Sequence, residues 1–210
     1  VRGRFITLEG GEGAGKSTLA RGLADALQAR GLTVVVTREP GGTPNAEAIR
    51  ALLNEGDVDR WSPMGEALLL YAAREDHVRT LIEPALTAGR WVICDRFADS
   101  TTAYQCAAGG LTRSTVEQLH ALSLAAFKPD LTLVVDLDPE VGLQRTVDRG
   151  EGATRFEQQP TAFHEALRAE FLAIAEREPE RCAVLQGRDK PENLLSQALD
   201  EIDRRLQVEA

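Results

Sequence analysis

FITLEGGEGAGKSTLARGLADAL, residues 5–27, changes character twice along its length. Phe5-Ile6-Thr7-Leu8 is a short apolar, β-favouring run that reads as a buried strand. Gly10, Gly15, Lys16 and Ser17 then complete the phosphate-loop spacing G-x-x-x-x-G-K-[ST]. From Ser17 the apolar residues Leu19, Ala20, Leu23, Ala24 and Leu27 recur at helical spacing. Strand, glycine loop and helix in that order are the context a phosphate loop requires; a glycine-rich turn with a chance Lys-Ser requires neither flank. The glycines let backbone N–H groups crowd an anion with no Cβ in the way. Those groups and the N-terminus of the helix supply positive potential. Residues Gly10, Gly11, Glu12, Gly13, Ala14, Gly15, Lys16, Ser17 and Thr18 are therefore candidates for holding a nucleotide. Lys16 would reach its outer phosphates, and the Ser17 hydroxyl would ligate the Mg²⁺ that travels with them.

The whole chain fits such a domain. Its 210 residues suffice for one domain with a proper core, and 43% hydrophobic with 27% charged residues is ordinary for a soluble protein. A net charge of −9 argues against a nucleic-acid partner. The three cysteines, Cys94, Cys106 and Cys182, form no C-x-x-C pair, so a reducing compartment is expected, with Cys94 and Cys182, in strand-like runs, as buried thiols. No apolar run approaches a membrane helix or a signal peptide, and the expectation is a cytoplasmic protein with no membrane association.

Strand-like runs fall at Phe5–Leu8, Leu32–Thr37, Trp91–Cys94, Leu131–Leu137 and Cys182–Leu185. Helical patterns fall at about 16–29, 44–54, 63–88, 112–126, 139–149, 160–177 and 191–206. This alternation predicts an α/β, single-domain P-loop fold spanning 1–210: a five-stranded parallel sheet with helices on both faces. Ligands of such sheets bind beyond the carboxyl ends of the strands. Those ends carry Arg38-Glu39-Pro40-Gly41-Gly42-Thr43, Asp95-Arg96-Phe97, Asp136-Leu137-Asp138-Pro139 and Gly187-Arg188-Asp189-Lys190. Asp95 ends a buried strand where a metal-side carboxylate belongs. Asp136 and Asp138 compete for that role, but Asp138-Pro139 reads as a helix start. Arg96 would then point at a second phosphate; a structural salt bridge between strand ends is the plainer alternative. Arg145, Arg149 and Arg155 surround a glycine-rich stretch and suit a short lid, about 145–158, that excludes water and stabilises developing charge. Ordinary ion pairs at a solvated helix end would use the same residues. A protein that shields its phosphate from water is arranged to donate it.

GGEGAGKS, TREPGGT at 37–43, DRFADSTTAYQ at 95–105 and RTVDRGEGATRFEQ at 145–158 together resemble the bacterial thymidylate kinases, over about residues 4–206. The resemblance implies transfer of phosphate from Mg-ATP to dTMP, and a homodimer. It places Glu12 at the sugar 3′-hydroxyl of dTMP, Arg96 on its phosphate, Asp95 on the metal side, and Arg38 and Glu39 beside the facing phosphates. Ser100, Thr101, Tyr104 and Gln105 match the nucleoside-reading segment, on a loop and first helical turn; Ser100 and Thr101 could equally cap a helix. Arg74 matches an arginine that contacts both base and phosphate region. Many relatives carry Phe four residues earlier, stacked on thymine; here Leu70 holds that position and Tyr71 the next. Tyr71 is the expected stacking residue, with Leu70 as an apolar floor the alternative.

Residues 11–14 hold no cation, so the chain resembles the members whose catalytic cations sit in the lid. Arg149 and Arg155 are then the transition-state candidates beside Lys16 and Arg96. Arg145 is placed on the adenine face, with the loop Gly187–Lys190 on the same side. No strong general base is needed, and His77, His120 and His164 are expected bystanders. Another pyrimidine monophosphate kinase would share this strand-end chemistry. A P-loop ATPase or switch would lack the acceptor, and the N-K-x-D and D-x-x-G motifs of a GTP switch do not occur.

Overall fold

The computed structural model describes residues 1–57, 59–148 and 155–206. Strands β1 (Phe5–Glu9), β2 (Val34–Arg38), β3 (Trp91–Asp95), β4 (Leu131–Asp136) and β5 (Cys182–Gln186) form one all-parallel sheet in the order β2-β3-β1-β4-β5. β1 is buried along its whole length, whereas the edge strands leave Val36 and Val184 exposed. Side-chain alternation sends successive β1 residues to opposite faces. Ile6 and Leu8 join Leu19, Leu23 and Leu27 of α1 (Lys16–Ala29) and Ala198 and Ile202 of α9 (Pro191–Leu206) in one core. Phe5 joins Val92, Phe97, Val78, Ile82 and Leu86 in the other.

α2 (Pro44–Asn54) and α3 (Pro63–His77) begin alike, with Thr43 or Ser62 accepting a backbone N–H of the first turn and Pro at the opening position. The single helix expected over 63–88 is α3, a wider π-helical turn at Val78–Ile82, and α4 (Glu83–Thr87). The segment read as a loop with one helical turn is helical throughout: α5 (Ala98–Thr101) runs into a π-helical stretch, Thr102–Ala108. α6 (Arg113–Leu124), α7 (Pro139–Asp148) and α8 (Thr161–Arg177) complete the layers. Among the described residues, no helix is long and apolar enough to cross a membrane.

β1 lies between β3 and β4, so the chain leaves it in one direction towards β2 and later crosses to the other side. That reversal opens a crevice at the carboxyl ends of β1, β3 and β4. The phosphate loop, Asp95-Arg96 and Asp136 follow or end those strands.

Candidate active site

Close backbone approach explains the loop's glycines. Gly10 has φ 132°, and a Cβ there would lie 2.5 Å from the Val135 carbonyl oxygen; at Gly13, φ 65°, it would lie 2.0 Å from that of Gly142. Lys16 folds back across the loop and donates to the carbonyls of Gly10 (3.0 Å) and Gly11 (2.7 Å). Burial, with Arg96 nearby, lowers its ammonium pKa to about 8 against the pull of Asp95 and Glu12. The Ser17 hydroxyl donates to Asp95 Oδ2 at 2.6 Å. This pair, a hydroxyl and a carboxylate from the ends of α1 and β3, is a hard-oxygen set that fits Mg²⁺, which keeps most of its shell as water and phosphate.

The turn after β3 holds Arg96. Arg96 adopts φ 73°, a left-handed conformation that costs a side-chain-bearing residue about 1–2 kcal/mol. Hydrogen bonds hold it there: Arg96 N donates to the Leu8 carbonyl (2.9 Å), and Phe97 N donates to Glu9 Oε1 (2.8 Å). Glu9 Oε2 also accepts from the Ser100 hydroxyl at 2.6 Å. Burial, helped by Asp99, pushes the Glu9 carboxyl up to about 8. The Arg96 guanidinium lies 5.1 Å over the Tyr104 ring and donates to Glu12 Oε2 (3.0 Å) and the Gly10 carbonyl (3.1 Å). Tyr104 Oη donates to the other Glu12 oxygen at 2.5 Å. Burial works against the Glu12 charge, yet Arg96, Lys16 and the Tyr104 hydroxyl bring its pKa down to about 2.

Beyond Arg96 opens a cavity walled by Glu12, Arg50, Leu53, Leu70, Arg74, Phe97, Ser100, Thr101, Tyr104 and Gln105. Arg74 is 1% exposed. Its Nε donates to Glu39 Oε2 (2.7 Å), and Nη2 donates to the Phe97 carbonyl (3.1 Å) and to Thr101 Oγ1 (3.0 Å). Gln105 donates from Nε2 to Glu66 Oε2 at 3.0 Å. Among the described residues, two buried polar atoms of this wall have no partner: Arg74 Nη1, a donor, and Gln105 Oε1, an acceptor. Leaving such groups buried costs about 1–3 kcal/mol each.

Two further clefts adjoin. Arg38, Arg50, Asp95 and Arg96 face residues 12–18 across one. Along the other, Arg145 reaches from α7 to the carbonyls of Gly187 (3.2 Å) and Gly13 (3.5 Å), beside Thr18, Asp189 and Leu195.

Several expectations need revision. Tyr71 does not line the acceptor cavity; its ring lies 4.8 Å from the Arg74 guanidinium carbon, its hydroxyl points to the Val116 carbonyl (3.4 Å), and Leu70 takes the cavity wall. Helix phase decides this, since the face carrying Tyr71 turns towards α6. Glu39 lies along the wall and also lines the cleft that faces residues 12–18, with its two oxygens bonded to Arg74 and to His77 Nδ1 (3.1 Å). His77 has a structural place: its Nε2 bonds Thr37 Oγ1 at 2.8 Å, completing a chain from Thr37 through His77 and Glu39 to Arg74. Among the described residues that line the cleft at the phosphate loop, Arg155 does not figure. It is buried in an ion pair with Glu66, its guanidinium carbon 4.9 Å from the centre of the Phe156 ring. Arg149 lies outside the described residues. Sequence reasoning missed Glu9, Arg50 and Glu66. A carboxylate ending an apolar strand was a usable signal for Glu9, whereas Arg50 and Glu66 look like ordinary polar positions on amphipathic helices.

The family model described as thymidylate kinase matches residues 8–198. A thymidylate kinase of Caulobacter vibrioides is 57% identical over 187 residues, covering 89% of each chain. One from Rhizorhabdus wittichii is 49% identical over 199 residues, covering 94% of this chain and 96% of its own. Among solved structures, thymidylate kinase from Ehrlichia chaffeensis superposes with a TM-score of 0.79 at 31% identity, covering 96% of this chain and all of that one.

Proposed function

The chain belongs to the thymidylate kinase family, and from that premise we propose that its connected clefts hold ATP and dTMP with their phosphates facing. The reaction is transfer of the γ-phosphoryl group of ATP to dTMP, giving ADP and dTDP. The acceptor oxygen is already anionic, so the protein's task is alignment and charge stabilisation rather than proton removal. Residues 10–18 wrap the donor phosphates, with Lys16 on the outer ones and Arg145 and the 187–190 loop on the nucleoside side. Arg96, supported by Arg38 and Arg50, holds the dTMP phosphate, and Glu12 accepts from the 3′-hydroxyl. Ser17 and Asp95 would hold Mg²⁺, which would supply further neutralisation of phosphate charge. The lid over 145–158, one domain for the whole chain and a homodimer complete the proposal; Arg155 serves the phosphates only on leaving Glu66.

One observation carries the choice of a thymine or uracil edge over a cytosine edge; the choice of dTMP within that pair rests on the family. The unpartnered donor of Arg74 and acceptor of Gln105 complement the O4 acceptor and N3–H donor of thymine, with Leu70 and Phe97 as apolar walls. The test is ADP formation from Mg-ATP with dTMP, dUMP, CMP, UMP, AMP or GMP, beside a control without acceptor. Strong preference for dTMP with little background is expected. Equal ADP release without acceptor would make the protein a hydrolase and overturn the reading.

A further inference from the structure

The Gln105 amide is reversible by itself: turned through 180°, it would offer the cavity its NH₂ group instead of its oxygen. What prevents this lies behind it. Gln105 is 1% exposed, and the atom turned away from the cavity donates to Glu66 Oε2 at 3.0 Å. The other Glu66 oxygen carries the ion pair with Arg155. Both oxygens of an arginine-paired carboxylate accept and neither donates. A flipped Gln105 would press its own carbonyl oxygen against that carboxylate in a buried site. Glu66 therefore fixes which end of the amide faces the ligand.

Resting on the dTMP reading above, we propose that Glu66 is a specificity-determining positioning residue that touches no substrate. By locking Gln105 with its oxygen towards the cavity, it requires a base with a hydrogen on N3. Thymine and uracil carry one; cytosine presents a bare N3 lone pair there, which would face the Gln105 oxygen. Arg74 adds a second, independent filter at position 4, where its Nη1 suits a carbonyl and opposes an amino group. A site built to bond a specific hydrogen rejects the analogue lacking it far more strongly than an apolar pocket rejects a change of size.

The experiment compares dTMP with 5-methyl-dCMP, which share sugar, phosphate and methyl group and differ in the edge that Arg74 and Gln105 face. Steady-state kcat/KM for both acceptors is measured for the wild type and for Glu66→Gln. Glutamine at 66 offers Gln105 a donor and an acceptor alike, so the amide can face either way. The ratio of kcat/KM for dTMP to that for 5-methyl-dCMP is expected to fall at least about tenfold, mainly through a gain on 5-methyl-dCMP, while Arg74 preserves part of the preference. Loosening of Arg155 acts on both acceptors and cancels in the ratio, so a merely structural role for Glu66 would leave it unmoved. Glu66→Met, of similar volume and without an acceptor, provides the same reading where Glu66→Gln does not fold. A wild type that prefers dTMP, with a ratio unchanged within about twofold in the folded variant, overturns the role of Glu66 alone. A wild type with no preference for dTMP overturns the reading of the cavity and this inference with it.

Discussion

Replacing Glu39 with glutamine removes the charge opposite Arg74 while keeping the shape of the side chain. The two side chains are 4% and 1% exposed, and they meet at 2.7 Å. Without its partner, the Arg74 guanidinium is a buried charge left with the Phe97 carbonyl, Thr101 and the two aromatic faces beside it. Breaking a buried pair by removing one member costs about 3–5 kcal/mol. For a chain of this size each kcal/mol lowers the midpoint by about 2–4 °C, so Glu39→Gln should melt about 6–20 °C below the wild type. Arg74→Met strands the opposite charge and should cost a similar amount. Combining the two leaves neither charge, and most of the loss should return. Urea unfolding of the four proteins gives the coupling energy directly, with about 2 kcal/mol or more expected. Calorimetric titration of the same proteins should show dTMP binding weakened about tenfold or more in all three variants, with ATP binding within about twofold of the wild type. Single substitutions costing under about 1 kcal/mol, or a coupling below about 0.5 kcal/mol, would refute the claim that Glu39 works through Arg74.

Arg96→Ala should abolish transfer to dTMP while ATP still binds, as judged by turnover and by titration with a non-hydrolysable analogue; near-normal turnover would remove Arg96 from the acceptor phosphate. Arg145→Ala loses a bridge between the phosphate loop and Gly187, so the KM for ATP should rise about fivefold with the KM for dTMP unchanged; a matching rise in both would mean a general disturbance of the loop. Glu9 titrates near 8 when folded and about 4.3 when unfolded, so the folded state keeps a proton that the unfolded state releases between those values. Stability therefore falls as pH rises from about 4.3 to about 8, and Glu9→Gln should lack this slope. Urea midpoints at pH 5 and 8.5 that move in parallel for the two proteins would contradict it.

The sheet was legible because its signal is local. Continuous apolar runs located all five strands to within about two residues, and the glycine spacing located the phosphate loop. The helix over Ala98–Ala108 left no such trace. It buries Ser100, Thr101 and Gln105 alongside Ala103 and Tyr104, so polar and apolar residues go inside together and no amphipathic period forms. The π-helical turn at Val78–Ile82 likewise keeps a helical pattern while changing its pitch. Charge partnerships were harder still. Glu39 with Arg74 and His77, and Glu66 with Gln105 and Arg155, join residues 35 to 89 positions apart. Spacing on a single element cannot report such pairs. Tyr71 is kept from the cavity by helix phase, which turns its face towards α6 and leaves its ring beside the Arg74 guanidinium.

The left-handed backbone at Arg96 sets the interests of folding and chemistry against each other at a single position. Alanine there keeps the unfavourable φ and loses the side chain, whereas glycine loses the side chain and relaxes the backbone. Of two equally inactive proteins, Arg96→Gly should be the sturdier by about 1 kcal/mol. A lineage released from making nucleotides would find its easiest route to greater thermal endurance through the residue it had most needed. On the role proposed for Arg96, a bulky cation sits on a turn whose geometry suits none because the reaction needs it there.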